Sequence, residues 1–358
     1  MSARLVFPLA SIVAVVGVTV LLPLILPSFS ITLLSMWIPF VLLALAVDIM
    51  WGENRIVSFG HGVFFALGGY VAGVILRGHT QDSSSANLAL LNGGADGSDP
   101  VHAMLGTLAD VRIGGLSVAP LIAPLVLCGL LGWLIGVSIF RLNDPELYAP
   151  LVTLGVGVIA TAAFLRVPLF GGSNGLSGIP SLVSSGGVVS TYAINAALVT
   201  VLFVGYWIFR RRRSGLLWRA SGDDPLRLEA LGFRVAGRRA LGFGVSAALA
   251  GLAGALYASA AGYVSADLAA VGFSVQALVW VAVGGPGKLF GPILGVLLLQ
   301  SGQQALSQQL AGVWPLVLGG LLLVLVLAAP TGVSGLVGDL ATRVAERNEA
   351  RGAYSRNR

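Results

Sequence analysis

Charge is the scarcest property of this chain. Of its 358 residues, 10% are charged and 56% are hydrophobic, whereas an average soluble chain carries about 25% charge. So few charged side chains cannot cover a water-facing globule of this size. A mean hydropathy of +0.91 points the same way: most of the surface faces lipid. Cysteine is nearly absent. Cys128 stands alone, which excludes an intrachain disulfide and a cysteine metal cluster; in its apolar run it reads as a small buried filler. Histidine is limited to His61, His79 and His102, and no metal-ligand constellation forms from them. The last two lie in a polar segment and read as solvated.

Catalytic patterns are missing as well. There is no nucleophile elbow and no triad spacing. "VGGPGKLF" resembles a phosphate loop only superficially: the pattern G-x-x-x-x-G-K-[ST] needs glycine where Ala282 stands and a hydroxyl where Leu289 stands. The chain therefore reads as a non-enzyme with no cofactor of its own. The apolar runs hold almost no acids or bases, which argues against a proton relay and against an ion channel lined by charge. Asp48 is the exception. It reads as sitting near one end of its helix, within reach of the interface or of Arg55.

What the chain has is long apolar segments. Apolar helices are expected at about 5–26, 31–50, 56–76, 118–139, 150–167, 191–209, 240–263 and 311–329. The run from Leu5 to Leu26 exceeds a signal-peptide core and reads as a retained first span. Segment 272–302 is also apolar but is interrupted at "GGPGKLFGP", and each half is expected to be too short to cross a bilayer core of about 30 Å.

Arginine sets the orientation. If Arg4 is cytoplasmic and the sides alternate, the turns "WGENR" and "FRLNDPELYA", the loop 210–239 and the tail 341–358 fall on the same side. Seventeen of the 21 basic residues then lie there, and only Arg77, Arg112 and Arg166 lie opposite. Such a bias makes both termini cytoplasmic and explains the pI near 10.0 without nucleic acid. Residues 77–117 and 168–190 become external. Both the 210–239 loop and the tail are then inside, so an even number of crossings must separate them. Segment 272–302 must contribute none or two, as a re-entrant or broken helical pair. Broken helices of this kind often line transport routes.

Three short stretches carry further chemistry. In "RASGDDPLRLEALGFRV", Asp224 is suited to cap a helix, Pro225 to its first position and Gly232 to its end. Leu226, Leu228 and Leu231 make the stretch amphipathic. It reads either as a surface helix on the membrane or as a helix docking into a cytosolic partner. "FGGSNGLSGIP" (170–180) is explained by turn chemistry or by an external contact. "SFGHGVFFALGGY" (58–70) has Ser58 as a helix-start cap and glycines that give smooth packing faces. His61 there reads either as a hydrogen bond to a neighbouring helix or as a neutral imidazole at the mouth of a route.

Several motifs together resemble one family. "SFGHGVFFALGGY", "LYAPLVTLGVGVI", "FGGSNGLSGIP", "WRASGDDPLRLEALGF", "AALAGLAGALY" and "SVQALVWVAVGGPGKLFGPILG" occur in order over residues 40–332. They are similar to the permease subunits of ABC importers for branched-chain amino acids, urea and short amides, the LivM-like and urea-permease subunits. The resemblance implies an all-α integral membrane protein of about eight transmembrane helices plus the broken pair, filling residues 1–340. It also implies a bacterial inner-membrane location. The expected partners are a second, homologous permease, two cytosolic ATP-binding subunits that hold ATP and Mg²⁺, and an extracytoplasmic solute-binding protein. Asp223, Asp224, Pro225, Arg227, Glu229 and Gly232 would contact the ATPase. Ser58, His61, Asn174 and Gln276 are the candidates for the substrate route. Two departures stand out: Val158 where many amino-acid members carry glutamate, and Gln276 where urea members often do. The neutral, hydrogen-bonding candidates favour urea or a short amide as cargo; branched-chain amino acids are the alternative, and a passive channel a third reading.

Overall fold

A computed structural model of the chain describes residues 27–80, 112–113, 116–142, 144–183 and 187–310, with 313, 316, 319, 320 and 332. The expected spans 5–26 and 311–329, the tail 341–358 and most of the external segment 77–117 lie outside these residues.

The described chain is helical almost throughout. Its longer helices are α1 (Ser28–Asp48, continued by a π-turn Ile49–Glu53), α2 (His61–Thr80), α3 (Ala119–Ile139), α4 (Pro145–Arg166) and α5 (Val188–Arg211). Two short helices follow, α6 (Arg213–Asp223) and α7 (Pro225–Ala230). Then come α8 (Val235–Ala261), α9 (Val271–Gly284) and α10 (Gly291–Leu310). Five of them are long and apolar enough to cross a membrane: α1 with its π-turn, α3, α4, α5 and α8. Strand structure among the described residues is confined to two-residue pairs: β1 (Arg112–Ile113) with β2 (Leu116–Ser117), and β3 (Leu176–Ser177) with β4 (Tyr263–Val264).

Helix α8 is the central post, packing most extensively on α3, then on α2 and α1. Its sequence, "AALAGLAGALYA", explains why. A Cβ at Gly254 would collide with the Phe65 carbonyl, and one at Gly68 with the Gly251 backbone. The helices therefore touch backbone to backbone, as expected where lipid supplies no hydrophobic drive and close van der Waals contact must hold helices together. The glycine-rich stretches of α2 and α8 are thus packed against each other. Around this contact Phe40 gathers the rings of Phe65, Tyr257, Phe273 and Trp280 at 5.1–5.9 Å, joining α1, α2, α8 and α9.

Several boundaries differ from the sequence expectation. The helix expected from residue 56 begins at His61, so Ser58 does not cap it; the Ser58 hydroxyl accepts from the Gly60 amide at 3.3 Å, before the helix begins. The first-turn amide of Gly62 instead donates to Ser274 Oγ on α9 at 3.0 Å, and the Phe59 amide to Thr153 Oγ1 on α4 at 3.0 Å. Capping groups from other helices leave no local sequence signal. The interruption in 272–302 is real, but the halves are unequal. Helix α9 has 14 residues and α10 has 20, so α10 is about 30 Å long and is no half-helix. The expected loop 210–239 is mostly helix, formed by α6, α7 and the first turn of α8.

The helices alternate in direction, so their connections collect at two ends. One end holds 49–60, 140–142, 144, 212–234 and 285–290. The other holds 167–183, 187 and 262–270, stitched by the β3–β4 pair and by the Leu116–Val183 bridge. The first set contains every described turn that the arginine count assigns to the cytoplasm.

Candidate functional site

The arginine-rich end is built around the turn "DIMWGEN" that closes α1. Glu53 lies at its tip and is 6% exposed. Its Oε1 accepts from Arg210 Nε at 2.7 Å and from the Tyr206 hydroxyl at 3.0 Å; its Oε2 accepts from Arg219 Nε at 2.7 Å. One carboxylate thereby ties α1 to the end of α5 and to the middle of α6. Asn54 completes the contact. Its Nδ2 donates to the Ile49 carbonyl at 2.9 Å, and its Oδ1 accepts from Ser221 Oγ at 3.1 Å. Gly222 lies so close that a Cβ there would strike the Glu53 carbonyl.

The same turn holds the break between α9 and α10. Asp48, fully buried, accepts from the Gly287 amide at 2.7 Å, and Arg210 Nη2 donates to the Gly287 carbonyl at 2.8 Å. Gly52 must be glycine for this docking: a Cβ would run into Asp48 and into the Gly287 backbone. The expected Asp48–Arg55 contact is therefore corrected. Arg55 faces outward instead and pairs with Asp223 at 3.5 Å, both side chains being largely exposed. A helix-end carboxylate is drawn to a free amide when a turn presents one, and the broken segment does so.

A second anchor lies beside it. Arg239, at the start of α8, donates through Nη2 to the Ser221 carbonyl at 2.8 Å and to Glu146 Oε1 at 3.4 Å. It satisfies a carbonyl at the end of α6 and holds the first turn of α4, where Glu146 also complements the helix dipole.

Helix α7 projects from this base. The Asp224 carboxylate accepts from the Arg227 amide at 3.0 Å, Pro225 occupies the first turn, and Gly232 terminates the stretch at φ +87°. Leu228 points inward, while Leu226 (78% exposed) and Leu231 point out. A groove of about 560 Å³ runs between α7 and the α3–α4 corner. Leu142, Glu146, Leu147, Leu226 and Glu229 are among its lining residues. An end of this kind presents apolar side chains on a stiff, charge-anchored base, which is the chemistry of a protein-docking surface.

The four route candidates are not brought together. His61 is 1% exposed. The Ser246 hydroxyl donates to the Ala46 carbonyl at 2.6 Å, so the 2.6 Å contact with His61 has the imidazole Nε2–H donating to Ser246 Oγ. That chain links α2, α8 and α1. The ring also meets Phe243 edge-on at 5.9 Å, so His61 lies inside the helix packing. Ser58 is buried beside it. Asn174 is exposed in a turn at the opposite end. Gln276 is half-buried on α9, its Nε2 directed at Gln303 Oε1 on α10 at 3.4 Å.

The sequence reading overlooked Glu53, Arg210, Arg219 and Gly287. A glutamate placed just after an apolar run, with arginines closing a later one, was the available signal. Among the described residues no group of His, Cys, Asp and Glu is arranged to hold a metal ion.

Comparison with known proteins gives a consistent picture. A family model described as "Branched-chain amino acid transport system / permease component" matches residues 29–327. The LivM permease protein of the high-affinity branched-chain amino acid transport system of Escherichia coli K12 is 26% identical over 350 residues, 90% of this chain and 74% of the relative. The LivH permease protein of the same kind of system in Salmonella typhimurium LT2 is 25% identical over 315 residues, 83% of this chain and 91% of the relative. An autoinducer 2 import permease, LsrC of Escherichia coli O9:H4, is 26% identical over 245 residues, 64% of this chain and 66% of the relative. No solved structure matches the chain.

Proposed function

Because the chain belongs to the branched-chain amino acid transport system permease family, we propose that it is a membrane subunit of an ATP-driven importer for branched-chain amino acids. The match across residues 29–327 carries this reading. The names of the LivM and LivH relatives support branched-chain amino acids over urea, which reverses the preference drawn from neutral side chains alone.

In this reading the arginine-rich end is cytoplasmic. A second, similar permease completes the route, an external binding protein delivers the solute, and two ATPases dock at the cytoplasmic end. Helix α7 is the contact they would grip: Asp224 and Pro225 fix its start, Gly232 fixes its end, and Arg227 and Glu229 with the outward leucines form its surface. ATP and Mg²⁺ belong to those ATPases. When the ATPases close, α7 and its base would move, and the helices would rearrange between inward-open and outward-open states.

The route needs polar groups at membrane depth that carry no net charge. Gln276 and Gln303 suit it. They lie about 12 Å and 18 Å along their helices from the inner turn, close to mid-bilayer. Together two amides offer both donors and acceptors, as a zwitterion requires. An amide at this depth is costly against lipid and suits a wet surface.

Proteoliposomes holding this chain, its partner permease, the ATPases and the binding protein test the reading. ATP-dependent uptake of labelled leucine, with urea failing to compete, is expected. Urea uptake without leucine uptake would establish the second reading.

A further inference from the structure

The buried charges at the base of α7 have no evident role in holding solute. They lie at the end of the bundle, far from the Gln276–Gln303 pair. Nor are they an economical way to stabilise a fold. Asp48, Glu53 and Arg210 are withdrawn from water, with Arg219 half-exposed beside them; such buried charges pay a desolvation cost that their mutual attraction often fails to recover, and apolar side chains of similar volume frequently do as well or better. Their arrangement is instead a connection. Starting from α6, the continuation of the docking surface, Arg219 holds Glu53 at 2.7 Å. Glu53 holds Arg210 at 2.7 Å, and Arg210 holds the Gly287 carbonyl at 2.8 Å. On the other flank Asp48 holds the Gly287 amide at 2.7 Å. Both polar groups of Gly287 in the α9–α10 break are therefore gripped, its carbonyl by an arginine linked through Glu53 to α6 and its amide by Asp48 of the same turn that carries Glu53. The pair of helices hinged at that break carries Gln276 and Gln303.

We propose that Glu53 is a positioning residue that transmits displacement of the α6–α7 unit to the α9–α10 turn, and so couples ATP hydrolysis to movement of the route. The connection is short and stiff. Every link is a charged or charge-assisted hydrogen bond. The π-turn Ile49–Glu53 brings Glu53 and Asp48 to bear on opposite sides of Gly287, and a bulged turn of that sort in a helix often marks a functional position. This inference rests on the importer reading above.

Two substitutions break the connection at different places. Glu53→Gln removes the charge that binds Arg210 and Arg219. Gly52→Ala leaves those pairs intact but wedges a methyl group between the turn and Gly287. In the full reconstituted complex, ATP hydrolysis and leucine uptake are measured together, and the number of solutes moved per ATP is the readout. Both variants are expected to retain ATP hydrolysis while that ratio falls by tenfold or more. A purely structural role would reduce the amount of complex and lower both rates in proportion, leaving the ratio unchanged. An unchanged ratio in both variants overturns the proposal. If Glu53→Gln does not assemble, Tyr206→Phe removes only the 3.0 Å hydroxyl bond to Glu53 and is expected to lower the ratio about twofold to threefold; an unchanged ratio there, together with a normal Gly52→Ala, also overturns it. A wild-type complex that hydrolyses ATP but moves no leucine is a different result, and it counts against the importer reading.

Discussion

His61 shows how a single polar residue takes its setting from partners distant in sequence. Between two glycines in an apolar stretch it has the appearance of a ligand, yet in the fold its imidazole spends its one proton on Ser246 and packs in an edge contact with Phe243. Replacing it with alanine deletes that bond and opens a hole where α1, α2 and α8 meet. His61→Ala is expected to cost about 1–3 kcal/mol, seen as a lower melting midpoint in detergent. Leucine uptake per assembled complex is expected to stay near wild type; selective loss of uptake at normal assembly would return His61 to the route. Gln276 is the opposite case. Its amide reaches only another amide, at 3.4 Å, and its loss leaves no buried charge behind. Gln276→Leu is expected to raise the KM for leucine uptake severalfold while the melting midpoint moves little. An unchanged KM would remove Gln276 from the route.

At the scale of elements, the inner end divides into a base and a probe. Helix α6 is the base, held by Glu53, Asn54 and Arg239. Helix α7 is the probe, six residues long and dependent on its cap. Removing the Asp224 side chain frees the Arg227 amide, and a lost cap of this kind costs about 0.5–2 kcal/mol, enough to fray so short a helix. Asp224→Ala is expected to weaken co-purification of the ATPase subunits without lowering the yield of folded permease. Leu226→Asp tests the surface without touching the cap, because Leu226 is exposed and its side chain supports nothing. Retention of the ATPases by both variants would move the docking site away from α7.

The whole molecule has two chemically different ends, and its orientation follows from them. Cys128 is fully buried against α8, its thiol directed to the Phe64 carbonyl, so a membrane-impermeant maleimide should report only on introduced thiols. Leu231→Cys at one end and Asn174→Cys at the other are both exposed sites. In intact cells Asn174→Cys is expected to be labelled and Leu231→Cys protected until the membrane is opened. The reverse pattern would invert the topology.

Composition and periodicity were enough to determine that this chain lives in a membrane, where most of its helices run, that segment 272–302 is interrupted, and which turns share an end. Those properties are local or additive. Hydropathy is summed over a window, arginine is counted by side, and a capped helix such as Asp224–Gly232 carries its own signals. The ordered motifs added the permease family for the same reason, since they are short contiguous stretches. The tertiary structure alone decided what depends on partners distant in sequence. It drew Ser274 in to cap a helix it does not belong to, set Thr153 against the turn before that helix, closed His61 into the packing, and lengthened α10 past the expected half-helix. It also set Asp48 and Glu53 against Gly287, Arg210 and Arg219, residues more than 150 positions away. A carboxylate at the end of an apolar run can be seen in the sequence; which of many arginines and amides it binds is fixed only when the helices have packed and a single set remains within reach.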